Sequence, residues 1–225
     1  MPELPEVQTT VNGLNAKVKG LVIRDAWTDY RSPHHAGKDN IKNPDFFAKF
    51  RDSIIGARII GARRRAKNIL IDLAPTQRKD GKKSVIIESK TILIHMKMTG
   101  HVMFGEYVFD KKIETAKGSD PWKASDRDPK NPLNDSFNRF IHFVLTLGKE
   151  SDVAGKDSGD EIQLVLSDMR KFGKVTLIPT AQTLYGGETH PDLSHLGPEP
   201  LDEKFTFAVF DKQLSKRPHA PIKQA

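Results

Sequence analysis

A chain of 225 residues with 37% hydrophobic side chains and a mean hydropathy of −0.51 has material for one large or two modest packed domains. It contains no apolar run long enough to cross a bilayer as a helix. It also has no cysteine, which excludes disulfides, thiolate catalysis and thiolate zinc sites within these residues and makes an intracellular location the expectation. The net charge of +7 is uneven: the first hundred residues hold 19 Lys and Arg against 10 Asp and Glu, the remainder 17 against 19. A basic half invites a polyanion, nucleic acid first; an inert solvated basic surface fits the same numbers.

The opening "MPELPEV" is acidic and lacks the apolar core of a secretory signal. "PEVQTTVNGLNAKVKG" predicts an amphipathic helix, with Val7, Val11, Leu14 and Val18 on one face, Pro5 in the first turn and Gly20 closing the segment. β-like runs follow: "LVIRDAW", "ARIIGARRRAKNILIDL", "SVIIESKTILIHMKMTGHVMF", "RFIHFVLTL" and "EIQLVLSDMRKFGKVTLIP". Between them, 110–136 and 148–161 are polar and without period, and read as long loops. The expected fold is mainly β with flanking helices: a two-layer β-sandwich capped by an N-terminal helix, then the start of a helical domain. Residues 1–195 form the expected sandwich domain and 196–225 a linker and the beginning of the second. There Asp202 is the expected N-cap, with Phe205, Val209 or Phe210, and Leu214 as a stripe. The chain ends on a helix-like start, "IKQA", which reads as a cut.

Several residues carry chemistry of their own. Once Met1 is removed, Pro2 presents a secondary amine; an α-amino group has a pKa of about 7.7–8.0, so part of it is nucleophilic near neutrality. Such an amine attacks a carbonyl-like carbon to give an iminium, and the adjacent Glu3 can move the protons. Proline is also common near N-termini for no chemical reason. In "RRRAKNIL", an alternating strand puts Arg63, Arg65 and Lys67 on one face, suited to phosphates; a strand edge defended by charge explains the run equally. His95 and Met98 in "TILIHMKM" and Phe172 in "KFG" fit structural roles as well as functional ones.

Together, "PELPEV", "RRRAKNIL", "HMKMTG", "DMRKFG" and "HLGPEPL", in that order, resemble the formamidopyrimidine-DNA glycosylase family over nearly the whole chain. Met169 stands where that family commonly has a proline. The resemblance implies a base-excision enzyme that flips an oxidised purine, such as 8-oxoguanine, out of double-stranded DNA and also acts at abasic sites. It implies a catalytic set of Pro2, Glu3, Glu6 and Lys67, with Pro2 forming the Schiff base, Glu6 supporting the site and Lys67 contacting phosphate. For DNA binding it implies His95 at a phosphate, where the strand alternation also puts Arg65, and Met98, Arg170 and Phe172 filling the space left by the flipped base, Phe172 as an apolar wedge and Met98 as an adaptable filler. Lys223, in "APIKQA", would begin a helix of a helix-two-turn-helix module. The family's four-cysteine zinc finger has no counterpart in these residues, so no metal or other cofactor is expected. A monomer in the cytoplasm, associated with the nucleoid and not with membranes, is the expected setting. A non-catalytic damaged-DNA-binding module, an N-terminal-proline tautomerase and an endonuclease VIII-like enzyme for oxidised pyrimidines are the competing readings.

Overall fold

The computed structural model describes residues 2–80, 83–114, 120–125, 139–149, 161–184 and 187–216. Compactness separates Met1–Thr180 from Ala181–Ala225, whereas the linker motif sets the boundary at 195/196 in the sequence reading.

The first unit begins with helix α1, Leu4–Lys17. Its apolar stripe is buried as its spacing predicts: Val7, Val11, Leu14 and, at the C-cap, Val18 are each at most 3% exposed. Gly20, at φ +87°, turns the chain away. Sheet A then takes β1 (Val22–Thr28), β7 (Gly100–Gly105), β10 (Ile141–Gly148) and β11 (Ile162–Asp168) in the order β1-β10-β11-β7. Sheet B takes β2 (Ile59–Arg65), β3 (Asn68–Leu73), β6 (Lys90–His95) and β12 (Lys174–Pro179) in the order β12-β6-β3-β2. All neighbouring strands within both sheets are antiparallel. Ile23, Phe143, Leu145, Leu164 and Leu166 of sheet A share one core with Ile59, Ile69, Ile71, Ile92 and Ile94 of sheet B and the stripe of α1. This is the two-layer sandwich with its helical cap.

Helix α1 is tied to edge strand β2 as well as packed on the core. The Asn15 side chain donates to the Ala62 carbonyl at 2.7 Å and accepts from the Ala62 N–H at 2.8 Å. Such pairing covers part of an otherwise open sheet edge, and it fixes the start of the chain against sheet B.

Four local features depart from the sequence reading. A second helix, α2 (Pro44–Ile54), lies between β1 and β2, with the Asn43 side chain accepting from the Asp45 N–H and Phe50 and Ile54 buried. The polar stretch 110–136 is not loop throughout: α3 (Lys111–Glu114) and β9 (Trp122–Ala124) lie in it, and β9 pairs with β8 (Tyr107–Phe109). There Trp122 stacks edge-on with Trp27 and tilts against Phe109, closing a small apolar cluster on Ile141, Val144 and Val165. A further hairpin, β4 (Thr76–Asp80) with β5 (Lys83–Ile87), precedes β6.

In the second unit, helix α4 runs over Phe207–Leu214 and is capped by Thr206, not Asp202. The Asp202 side chain instead accepts from the Lys204 N–H in a preceding turn. Phe205, just outside the cap, packs edge-on against Phe210 in the helix, a hydrophobic staple.

Candidate active site

The capping of α1 holds the first residues in place. Glu3 is the N-cap, and the Glu6 carboxylate accepts from the Glu3 backbone N–H. A capping interaction contributes about 1 kcal/mol, and here it also fixes the peptide that follows Pro2. Glu6 therefore supports Glu3 through the backbone.

Lys67 comes to this end of the helix from a two-residue turn. Arg65 and Asn68 pair across β2 and β3, leaving Ala66 and Lys67 as the hairpin loop, with Ala66 left-handed at φ +48°. The Lys67 ammonium stands 3.1 Å from the Glu3 carboxylate. Arg64 secures the turn, donating to the Gln8 side chain of α1 at 3.0 Å and to the Ala66 carbonyl at 3.1 Å. Glu3 and Lys67 are both partly solvated, so their pair adds at most about 1 kcal/mol to stability. Its significance is positional.

The expected cationic face of Arg63, Arg65 and Lys67 is not present. The strand ends at Arg65, and the turn carries Lys67 out of the alternation. Arg63 is bound to Asp72 at 2.8 Å, and Arg65 is only 4% exposed. Burial takes Arg65 away from the surface a phosphate would meet, whereas Lys67 stands at the helix end beside Glu3.

His95 closes β6 in line with Asn68 on β3 and Lys174 on β12. Its Nδ1 accepts from the Lys97 N–H at 3.0 Å, which leaves the proton on Nε2. The next turn returns sharply to β7: the Gly100 N–H donates to the Met96 carbonyl at 3.0 Å, with Lys97 left-handed at φ +57°. A Cβ at Gly100 would lie 2.4 Å from that carbonyl oxygen. Gly100→Ala is therefore expected to destabilise the protein by about 1–3 kcal/mol and to displace Met98, measured as a lowered thermal midpoint.

Met98, Arg170 and Phe172 meet. The Arg170 guanidinium lies 3.4 Å from the Met98 sulfur and 4.7 Å from the centre of the Phe172 ring. All three side chains are exposed, Met98 by 45% and Phe172 by 48%. Lys171, between Arg170 and Phe172, is left-handed at φ +54°. Thus each turn bearing a candidate residue has one non-glycine residue in a costly conformation, of the kind that concentrates at functional sites. Lys171 is braced from below: its carbonyl accepts from the Lys42 ammonium at 2.6 Å, and its own ammonium reaches Asp29 at 3.2 Å. Burial lowers the pKa of Lys42 below the ordinary lysine value. Sequence reasoning gave no role to Tyr30, Lys42, Thr99 or Asp168, all packed under this turn; the one signal was the Asp that opens "DMRKFG". Lys223 lies outside the described residues. Among the described residues no group of three or more His, Asp or Glu could hold a metal ion, and no helix is long and apolar enough to cross a membrane.

The family model described as the formamidopyrimidine-DNA glycosylase N-terminal domain matches residues 1–175. The chain belongs to the formamidopyrimidine-DNA glycosylase family. It is 30% identical to the formamidopyrimidine-DNA glycosylase of Pelotomaculum thermopropionicum, over 99% of this chain and 58% of that protein. The corresponding protein of Paracoccus denitrificans is 31% identical, over 100% of this chain and 59% of its own. The chain thus spans under two thirds of the length of these relatives. Among solved structures, MutM in complex with carbocyclic 8-oxo-G containing DNA aligns with a TM-score of 0.56 at 22% identity, over 96% of this chain and 57% of that one. Lactococcus lactis Fpg with N7-benzyl-Fapy-dG containing DNA aligns at 0.58 and 21%, over 96% and 56%. These two likenesses establish the fold.

Proposed function

We propose that this chain is a bifunctional DNA glycosylase and abasic-site lyase that removes oxidised purines from duplex DNA as a monomer. With Met1 removed, the Pro2 amine attacks C1′ of the flipped nucleotide, and the base departs with the electron pair of its glycosidic bond. As the sugar ring opens, the Pro2–C1′ bond becomes an iminium, with Glu3 delivering and accepting protons at the sugar. Loss of the C2′ proton then expels the 3′ phosphate, a second elimination expels the 5′ phosphate, and water releases the sugar fragment from Pro2. Lys67 and His95 hold phosphates on either side of the lesion. Met98, Arg170 and Phe172 occupy the vacated space, Arg170 bonding the abandoned partner base.

The observation that carries this reading is the convergence of Lys67 on Glu3 beside Pro2: a nucleophile, a proton carrier and a phosphate-seeking cation meet at one helix end. The test is base release from two duplexes, one with a single 8-oxoguanine and one with an oxidised pyrimidine. Release of 8-oxoguanine with cleavage on both sides of the sugar is expected. Release of the pyrimidine alone would assign the chain to endonuclease VIII-like chemistry. Damage-selective binding with no release would make it a binding module.

A further inference from the structure

Both wedge-bearing turns rest on one carboxylate. Asp168 ends β11 and is fully buried. Its Oδ1 accepts from the Thr99 hydroxyl at 2.6 Å and the Arg170 N–H at 3.3 Å. Its Oδ2 accepts from the Gly173 N–H at 2.6 Å and the Tyr30 hydroxyl at 3.1 Å. Thr99 directly follows Met98, and Arg170 and Gly173 flank the segment that carries Phe172. A Cβ at Gly173 would stand 3.1 Å from the same Oδ2, so a side chain there would crowd the carboxylate. Burial and the nearby Asp168 charge push the Tyr30 hydroxyl well above its ordinary pKa, which keeps it a donor. Charge-assisted bonds are roughly twice as strong as neutral ones, and here four converge on one group.

The geometry points to Asp168 as the positioning residue of the wedge: it locks the turn of Met98 and the turn of Arg170 and Phe172 into one register, so that the three side chains enter the duplex already assembled. This rests on the proposed glycosylase and lyase reading. Side chains inserted between stacked bases act only if held within a fraction of an ångström by their support, and ordering them in advance removes that cost from the binding step. Asp168 touches none of the three side chains through its own carboxylate; it acts through Thr99 and the backbone of the second turn.

An assembled wedge matters on duplex and not on single-stranded DNA, because only the duplex has a stacked partner to displace. Two variants of the full chain test it. Thr99→Val keeps the shape and removes the hydroxyl that donates to Asp168 and also accepts from the Arg170 N–H at 3.2 Å; Asp168→Asn replaces one acceptor oxygen with a donor. Adduct formation with borohydride is measured on duplex and single-stranded oligonucleotides bearing the same abasic site. Both variants are expected to slow trapping on the duplex about tenfold and to leave the single-stranded rate at the wild-type level. An equal fall on both substrates, or no fall on either, overturns the positioning role. If the wild-type chain forms no adduct on either substrate, the lyase reading fails instead. Exchange of the Arg170 and Gly173 amides then decides the clamp: faster exchange in the variants supports it, and unchanged exchange overturns it.

Discussion

Glu3→Gln is expected to lower base excision by about 10²–10⁴-fold, the usual contribution of a positioned acid–base group, with the fold retained. Two structural roles of Glu3 must be set against that loss. As N-cap of α1 it contributes about 1 kcal/mol, which in a protein of this size shifts the thermal midpoint by only about 2–4 °C. Its ion pair with Lys67 is partly solvated and adds at most about 1 kcal/mol to stability. The stabilising roles of Glu3 are thus far too small to explain a loss of two to four orders of magnitude in rate. Single-turnover excision of 8-oxoguanine, beside the thermal midpoint of the same sample, checks the prediction. A Gln variant with wild-type excision removes Glu3 from the mechanism.

The second large effect is expected at Phe172. The ring is 48% exposed, with the Arg170 guanidinium over it, so Phe172→Ala should change stability by no more than about 0.5 kcal/mol. Its expected effect is on base extrusion. Aromatic stacking on a base is worth about 1–3 kcal/mol, and about 1.4 kcal/mol is a factor of ten. Excision of a stacked 8-oxoguanine should therefore fall between about fivefold and a hundredfold. Cleavage at an abasic site in single-stranded DNA, where no stacked partner has to be displaced, should fall much less. Parallel rates on the two substrates check this; equal losses on both would show that Phe172 serves the chemistry or the fold instead of the wedge.

Much of this arrangement is legible in the chain. The stripe of α1 follows from helical spacing, and the strands of both sheets from runs of Ile, Val and Leu between turn residues. The site motifs are legible as short words in order. What the words do not contain is their meeting. Lys67 reaches Glu3 because the β2–β3 hairpin turns at Ala66, and the same turn breaks the alternation that would have put Arg63 and Arg65 beside it. Period-two reasoning fails there because it assumes the strand continues. Met98 and Arg170 touch across 72 positions, a relation only the pairing of β7 with β11 supplies. Helix α2 had its signals in Asn43, Pro44 and the Phe46–Phe47–Phe50 face, but one short amphipathic segment between β-like runs is easily absorbed into them. Trp122 sits in a stretch whose overall polarity masks one aromatic anchor. The cap of α4 falls at Thr206, four residues beyond Asp202, because Phe205 joins the apolar stripe from outside the helix and the stripe alone does not mark the first turn.

In the proposed reaction the nucleophile is the nitrogen of Pro2. The most direct test is to mix the protein with a duplex bearing one abasic site, reduce with borohydride, digest, and map the sugar adduct by mass spectrometry. A single adduct on an N-terminal peptide beginning at Pro2, lost when the N-terminus is blocked beforehand, is the predicted result. An adduct on the Lys67 side chain or any other lysine, or trapping that persists after the N-terminus is blocked, would contradict it.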